Sequence, residues 1–220
     1  MSIKKISLLA MAVAALSATT AFAGVIPAFT SFGTLADATF GGSGIPNTAV
    51  AITAIQGVTL GLTATQRFQM PAVTNDGAGL FHATNGAFAN NGDNVAKWNF
   101  NFYIGGAGLS NYRYKLLGDY NSAVGNDEST YTDLSFLFTQ ADSLKVAGRI
   151  QNSQNLGFGT SFAQFDPGAP GQYGFILAAF NSQNQEVGRS AILVEVPEPA
   201  SLALVGVALL GLAGGLRRRR

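Results

Sequence analysis

Cysteine is absent from all 220 residues, and histidine occurs once, at His82. Disulfides, thiolate metal ligands and a cysteine nucleophile are therefore excluded, although exported chains often rely on disulfides for stability. A Ser-His-Asp arrangement would have to be built on His82, and no serine sits in a Gly-x-Ser-x-Gly elbow. One histidine and scattered carboxylates show no zinc-ligand spacing. His82 lies in a turn-rich stretch and reads as a surface residue. No Walker loop occurs, and Gly105, Gly106 and Gly108 do not continue into a phosphate-binding helix. No repeat of fixed period appears, which argues against a solenoid or propeller. Charged residues make up 11% of the chain. Between residues 24 and 196, seven cations face eleven acids, a net charge of −4 that disfavours nucleic acid as a partner.

What the chain does have is concentrated first at its ends. Val196-Pro197-Glu198-Pro199 leads into 17 uncharged residues, Ala200 to Leu216, followed by Arg217, Arg218, Arg219 and Arg220. The prolines fix φ and withhold backbone donors, so this short segment should be extended and accessible, with a helix free to begin after it. As a helix the apolar run reaches about 25 Å, close to the roughly 30 Å of a bilayer's hydrocarbon core. Each arginine would cost roughly 2.5–3.5 kcal/mol at the bilayer centre, so the cluster should stay cytoplasmic as a membrane stop. At the other end, Lys4 and Lys5 precede the apolar stretch Ile6 to Ala15. Ala21-Phe22-Ala23 then offers the small-x-small pattern of a signal-peptidase site, with cleavage expected after Ala23. The positive-inside rule puts both termini in the cytoplasm and the intervening body across the membrane.

The order Val-Pro-Glu-Pro, apolar helix and terminal arginines over residues 196–220 resembles the PEP-CTERM sorting signal of Gram-negative bacteria, also catalogued as the ice-binding protein C-terminal domain. That resemblance implies recognition by an exosortase, a membrane-embedded protease or transpeptidase that removes the tail. It also implies an association with exopolysaccharide and biofilm or floc formation. An ordinary C-terminal membrane anchor fits the apolar run and its stop cluster, but needs no Pro-Glu-Pro in front. Three segments follow: a signal peptide at 1–23, a body at 24–195 and the sorting signal at 196–220.

The body reads as a single all-β domain. Val58, Leu60, Leu62 and Ala64 alternate with Thr59, Gly61, Thr63 and Thr65, which sets an apolar and a hydroxyl face on one strand. Trp98, Phe100, Phe102 and Ile104 alternate with Asn99, Asn101 and Tyr103, so four large side chains should enter one core. Further strands are expected at Tyr112 to Leu116, at Leu134 to Thr139 and at Val146 to Ile150. Turn chemistry from Asp166 to Gly171 introduces a hairpin, with arms from Tyr173 to Phe180 and from Arg189 to Val196. The second arm should be a half-buried strand, with Ser190, Ile192, Val194 and Val196 on one side and Arg189, Ala191, Leu193 and Glu195 on the other. Gly24 to Asn47 has no such periodicity, Gly41-Gly42-Ser43-Gly44 followed by Pro46 reads as loop, and Asp76-Gly77, Asn85-Gly86 and Asn91-Gly92 mark tight turns. Short strands at this spacing predict an antiparallel β-sandwich, jelly-roll or Ig-like, between a signal peptide and a single C-terminal transmembrane helix. The Phe-Asp-Pro turn, Gly-x-Tyr, aliphatic strand and closing β-arm also resemble the bodies of other PEP-CTERM proteins.

Few residues of the body point to chemistry. Asp119, Asn121, Asp127 and Glu128 supply hard oxygen donors around Gly125 and form a candidate Ca²⁺ loop, without matching an EF-hand. Otherwise they belong to a solvated connection, and no cofactor is expected. Asp119, Asp127, Glu128 and Asp133 could alternatively serve a glycosidase, which needs two acids facing a cleft. Tyr103, Tyr112, Tyr114, Tyr120 and Tyr131 could stack on sugars or pack within the sheet. Thr53, Thr59, Thr63 and Thr65 form one short row, too little for an ice-like array. The leading expectation is a non-enzymatic exported protein, cleaved by signal peptidase and exosortase after a transient stay in the inner membrane. It would then reach the cell surface or extracellular matrix and its polysaccharide. The alternatives are an extracellular carbohydrate-binding or carbohydrate-active protein using loop 119–133, and a permanently anchored periplasmic protein.

Overall fold

A computed structural model describes residues 27–68, 70–122, 127–139, 148–158, 162 and 164–198. The expected signal peptide with Ala21 and Ala23, together with Pro199, the apolar run and Arg217 to Arg220, lies outside the described residues. The described residues form strands, short 3-10 turns and connections, with no α-helix among them.

One sheet has five strands in the order β1 (Ser31–Gly33), β2 (Val50–Ile55), β3 (Val58–Gln66), β8 (Trp98–Gly105), β11 (Arg149–Gln154), every neighbour antiparallel. The other runs β10 (Thr132–Asp133), β9 (Arg113–Gly118), β12 (Gly171–Phe180), β13 (Glu186–Val196), β5 (Leu80–His82), β4 (Thr74–Asn75). Its β13–β5 pair is parallel, a departure from the wholly antiparallel expectation. A separate hairpin joins β6 (Ala87–Asn90) to β7 (Asp93–Ala96). Its turn is Asn91-Gly92, with φ values of 51° and 91°, the pair of positive angles that a two-residue hairpin turn requires.

The alternating strands meet face to face. Trp98, Phe100, Phe102 and Ile104 of β8 share one apolar cluster with Leu60 and Leu62 of β3, Tyr173, Phe175 and Leu177 of β12, and Ile192, Val194 and Val196 of β13. Burying each such aliphatic or phenyl side chain contributes about 1.5–3 kcal/mol. The core thus lies between two sheets, as in a β-sandwich. The β12–β13 hairpin forms as expected, although its connection is shorter, because the ladder extends to the Phe180–Glu186 pair. Asn181 Oδ1 accepts from the backbone N–H of Gln183 at 3.0 Å and of Gln185 at 2.9 Å, which closes that turn.

Three expectations need correction. Leu134 to Thr139 is not a strand, for Ser135–Thr139 is a 3-10 turn. Asp133 Oδ1 accepts from Ser135 N at 2.9 Å and opens it. Leu134 and Leu137, three residues apart, are both fully buried, whereas Phe136 is exposed. A period of three therefore decides here, though Leu134, Phe136 and Phe138 also alternate. The strand expected from Val146 begins instead at Arg149 and continues through the polar Gln151 to Gln154, while residues 140–147 lie outside the described residues. The hydroxyl and amide faces of β3 and β8 are covered. Leu35, Ala38, Phe40 and Ile45, from the stretch without strand periodicity, pack over them with Val50 and Tyr103. Gln151 Oε1 fastens this cover by accepting from the N–H groups of Thr39 (3.0 Å) and Phe40 (2.8 Å). Gly61 leaves the space that Leu35 fills, since a Cβ there would collide with its Cδ2. The outer face of β13 is likewise covered rather than half-open: Ala191 is fully buried and packs with Tyr131, Ile176 and Ala178.

Candidate functional site

Strand β13 lies between β12 and β5 and carries the chain directly into the sorting segment. Val196 is its last residue, buried and paired with Gly171. Pro197 cannot donate to the ladder, so pairing ends there, and Pro197 and Glu198 are exposed. Asn85 Nδ2 donates to the carbonyl oxygens of Gly168 (3.0 Å) and Pro197 (3.4 Å), which links the exit point to the turn before β12. One residue before the end of β13, Glu195 Oε2 lies 3.0 Å from His82 Nδ1. His82 is exposed, as its sequence context suggests, but occupies a strand rather than a turn.

The acids of loop 119–133 go to different partners. Asp119 is buried, and its Oδ1 accepts from Asn121 N at 3.0 Å. Burial raises its pKa, with the Asn121 N–H acting in the opposite direction. Asp127 is exposed and caps the 3-10 turn Glu128–Thr130, its Oδ1 accepting from Ser129 N at 2.9 Å. That backbone bond and the Ser129 hydroxyl hold its carboxyl below the ordinary value. Glu128 Oε2 accepts from Arg189 Nη1 at 2.8 Å. Glu186 binds the same guanidinium, and the hydrogen bonds of the two carboxylates raise its pKa. Asp133 lies 3.8 Å from Lys115 Nζ. Among the described residues no three acidic or histidine side chains gather where a metal could be held; Gly125 and Asn126 of the loop are outside them.

The tyrosines pack. Tyr103 and Tyr131 are buried, and Tyr112, Tyr114 and Tyr120 are half-buried. Tyr114 donates to Leu109 O at 2.8 Å and Tyr112 to Gln56 O at 3.2 Å, while Tyr120 lies edge-on to Phe162. Thr53, Thr63 and Thr65 are also buried, with Thr53 Oγ1 donating to Arg189 O and Thr63 Oγ1 to Ala49 O, each at 2.6 Å.

A polar ladder that alternation alone does not disclose runs along the outer face of the five-stranded sheet. Asn101 Nδ2 donates to Thr65 Oγ1 (3.0 Å), Gln151 Nε2 donates to Thr39 Oγ1 (3.0 Å), and the Asn99 amide meets Ser153 Oγ at 2.8 Å. The signal for it was the unbroken polar phase of two strands that pair with each other, Thr63 and Thr65 opposite Asn101 and Asn99. Where this ladder ends, beside the Gly41 to Gly44 loop, a cleft of about 410 Å³ opens.

The geometry defines an all-β body whose last interior strand delivers an exposed Pro-Glu segment. Residues 195–220 match the model of the PEP-CTERM protein-sorting motif. No curated protein matches the chain. The protein therefore carries a PEP-CTERM tail, the mark of an exported chain that an exosortase processes. Among the described residues no helix is long and apolar enough to cross a membrane; the run Ala200 to Leu216 lies outside them.

Proposed function

We propose that this is a non-enzymatic exported protein of a Gram-negative bacterium, delivered to the cell surface or extracellular matrix, where it associates with exopolysaccharide. Signal peptidase removes residues 1–23. The run Ala200 to Leu216 then holds the body in the inner membrane as a transient helix, with Arg217 to Arg220 in the cytoplasm, until an exosortase cuts near Pro197-Glu198-Pro199. The observation that carries this reading is the junction itself. A strand held on both sides stops at buried Val196, and an exposed segment opening on Pro197, which cannot donate to the ladder, follows at once. A protease can reach that segment without opening the sheet. The separate engagements of Asp119, Asp127, Glu128 and Asp133 support the non-enzymatic part.

Replacing Pro197, Glu198 and Pro199 with alanine in the native host tests it. Precursor should accumulate in the membrane fraction, and mass spectrometry of wild-type exported protein should find no peptide from 200–216. Unchanged processing of the variant, or mature protein that retains the arginines, would overturn it.

A further inference from the structure

The sorting tail leaves the body at one end of the sandwich, and two routes through the structure place the tip after β3 at that same end. Through the core, Gln66, the last residue of β3, pairs with Trp98, whose ring lies 5.6 Å from that of Tyr173. Tyr173 in turn pairs with Val194, two residues before β13 stops. Along the rim, Asn85 Nδ2 donates to Pro197 O (3.4 Å), and a Cβ on the neighbouring Gly86 would stand 3.4 Å from Lys97 Nζ. Lys97 O accepts from Arg67 N at 2.8 Å. Phe68 follows Arg67, and Met70 Sδ lies 4.0 Å from Gln66 Nε2, so both side chains belong to this end.

Those two are the most exposed large apolar side chains among the described residues, at 80% and 75%, against 42% for Phe136. Phe68 adopts φ 54°, a left-handed angle uncommon for a bulky residue. Apolar side chains scattered singly over a surface need no partner. These two adjoin, and they share the end from which the chain departs.

The length of chain beyond Val196 decides what covers them. Ala200, where the apolar run begins, is four residues beyond Val196, and a chain spans at most about 3.6 Å per residue, so Val196 lies within about 14 Å of whatever holds Ala200. The headgroup layer on each side of a bilayer is about 5–8 Å thick. With the run in the membrane, this end of the body rests against the headgroups, while the turn between β12 and β13 lies at the other end, roughly 35 Å along β13. Apolar side chains at such a surface bury about 5–10 Å into the boundary between headgroups and acyl chains, and cationic neighbours reach the phosphates. Arg67 and Lys97 have no carboxylate partner among the described residues, and the Arg67 guanidinium lies 5.0 Å from the Phe68 centroid. Asp166, in the turn that Asn85 binds, and Glu198 share this end, so apolar contact rather than net charge supplies the attraction.

We infer that Phe68 and Met70 insert into the membrane surface while the tail is in place. This contact docks the tail end of the sandwich on the bilayer and holds the Pro-Glu segment at the lipid boundary, where a membrane-embedded protease works. The inference rests on the proposed anchor for its tether, and the experiment below separates the two.

Because the chain has no cysteine, Phe68→Cys, Met70→Cys, Gln183→Cys and Leu209→Cys each give a single site for a nitroxide label. The three body positions are exposed, so folding tolerates the label there. Full-length protein is reconstituted into vesicles of phosphatidylethanolamine and phosphatidylglycerol, and collision of each label with oxygen, which concentrates in lipid, is compared with collision with a water-soluble nickel chelate. Labels at 68 and 70 should favour oxygen severalfold over the label at 183, in the far turn, and the label at 209 should favour it most. A lipid-exposed label at 209 with labels at 68 and 70 as wet as that at 183 would overturn the docking and leave the anchor standing. A wet label at 209 would overturn the anchor, and the docking with it. Spectral broadening at 68 and 70 that disappears on dilution with unlabelled protein would assign the patch to a second copy of the chain, which also overturns the inference.

Discussion

Phe100 and Phe175 stack across the sandwich with ring centroids 4.3 Å apart and planes 17° from parallel. One belongs to the five-stranded sheet and the other to its partner sheet, and both are fully buried. This contact sits beside Trp98, which meets Phe175 edge-on at 6.2 Å and Tyr173 at 5.6 Å. With no disulfide to restrain the unfolded chain, cohesion between the sheets depends on this packing. Phe175→Ala should therefore cost about 3–5 kcal/mol. A double-mutant cycle with Phe100→Ala should show coupling of about 0.5–1.5 kcal/mol beyond the area lost. Urea unfolding of the single and double variants measures both, and strict additivity would show that the stacking contributes nothing of its own.

Tyr131 crosses the outer face of the other sheet directly over Gly174, where any Cβ would run into its ring and hydroxyl. This explains a glycine in the interior of β12, a position that otherwise disfavours it. The Tyr131 hydroxyl is buried with no hydrogen-bond partner among the described residues, and burial raises its pKa, with Asp119 and Glu128 adding to the effect. Tyr131→Phe keeps the ring and removes the orphaned group, so it should stabilise the fold by about 1 kcal/mol. Gly174→Ala should destabilise it by about 1–3 kcal/mol through overpacking. Calorimetric melting distinguishes these signs. Loss of stability in Tyr131→Phe would mean that its hydroxyl has an acceptor.

The inner faces of this fold were legible because their strands alternate with period two: Trp98 to Ile104 and Ser190 to Val196 read correctly from residue type alone. Asn91-Gly92 marked its turn because few other pairs accept two positive φ angles. What the pattern could not disclose was cover. Thr63, Asn99 and Asn101 are polar yet buried, and Leu35, Ala38 and Phe40 return to pack on Tyr103 and Val50 from a segment with no periodicity of its own. Leu134 to Thr139 failed for another reason, since its apolar spacing fits both two and three residues per repeat and the Asp133 cap decides between them. The sorting tail needed no fold to be read. The contacts of Asn155 with Ala96 and Trp98 were invisible, because they join segments more than fifty residues apart in the chain.

Asp119 gives the body a pH dependence whose sign can be worked out. It follows β9 directly, its backbone N–H donates to Gly174 O at 2.8 Å, and its carboxyl is buried with a raised pKa. Desolvation is the larger cause, and the Asn121 N–H only partly opposes it. A raised value means that the folded protein holds this proton more tightly than the unfolded chain. The resulting stability is fully present below the unfolded value of about 3.9 and is lost as pH rises through the folded one. Asp119→Asn keeps an oxygen for Asn121 N and cannot ionise. It should match the wild type near about pH 3.5, exceed it progressively as pH climbs above the ordinary carboxylate range, and keep a constant advantage near neutrality. Urea midpoints of both proteins from about pH 3.5 to 8 test this, because subtraction cancels the other titrating groups. A difference that stays flat over that range would show that Asp119 is as well solvated in the folded protein as in the unfolded chain.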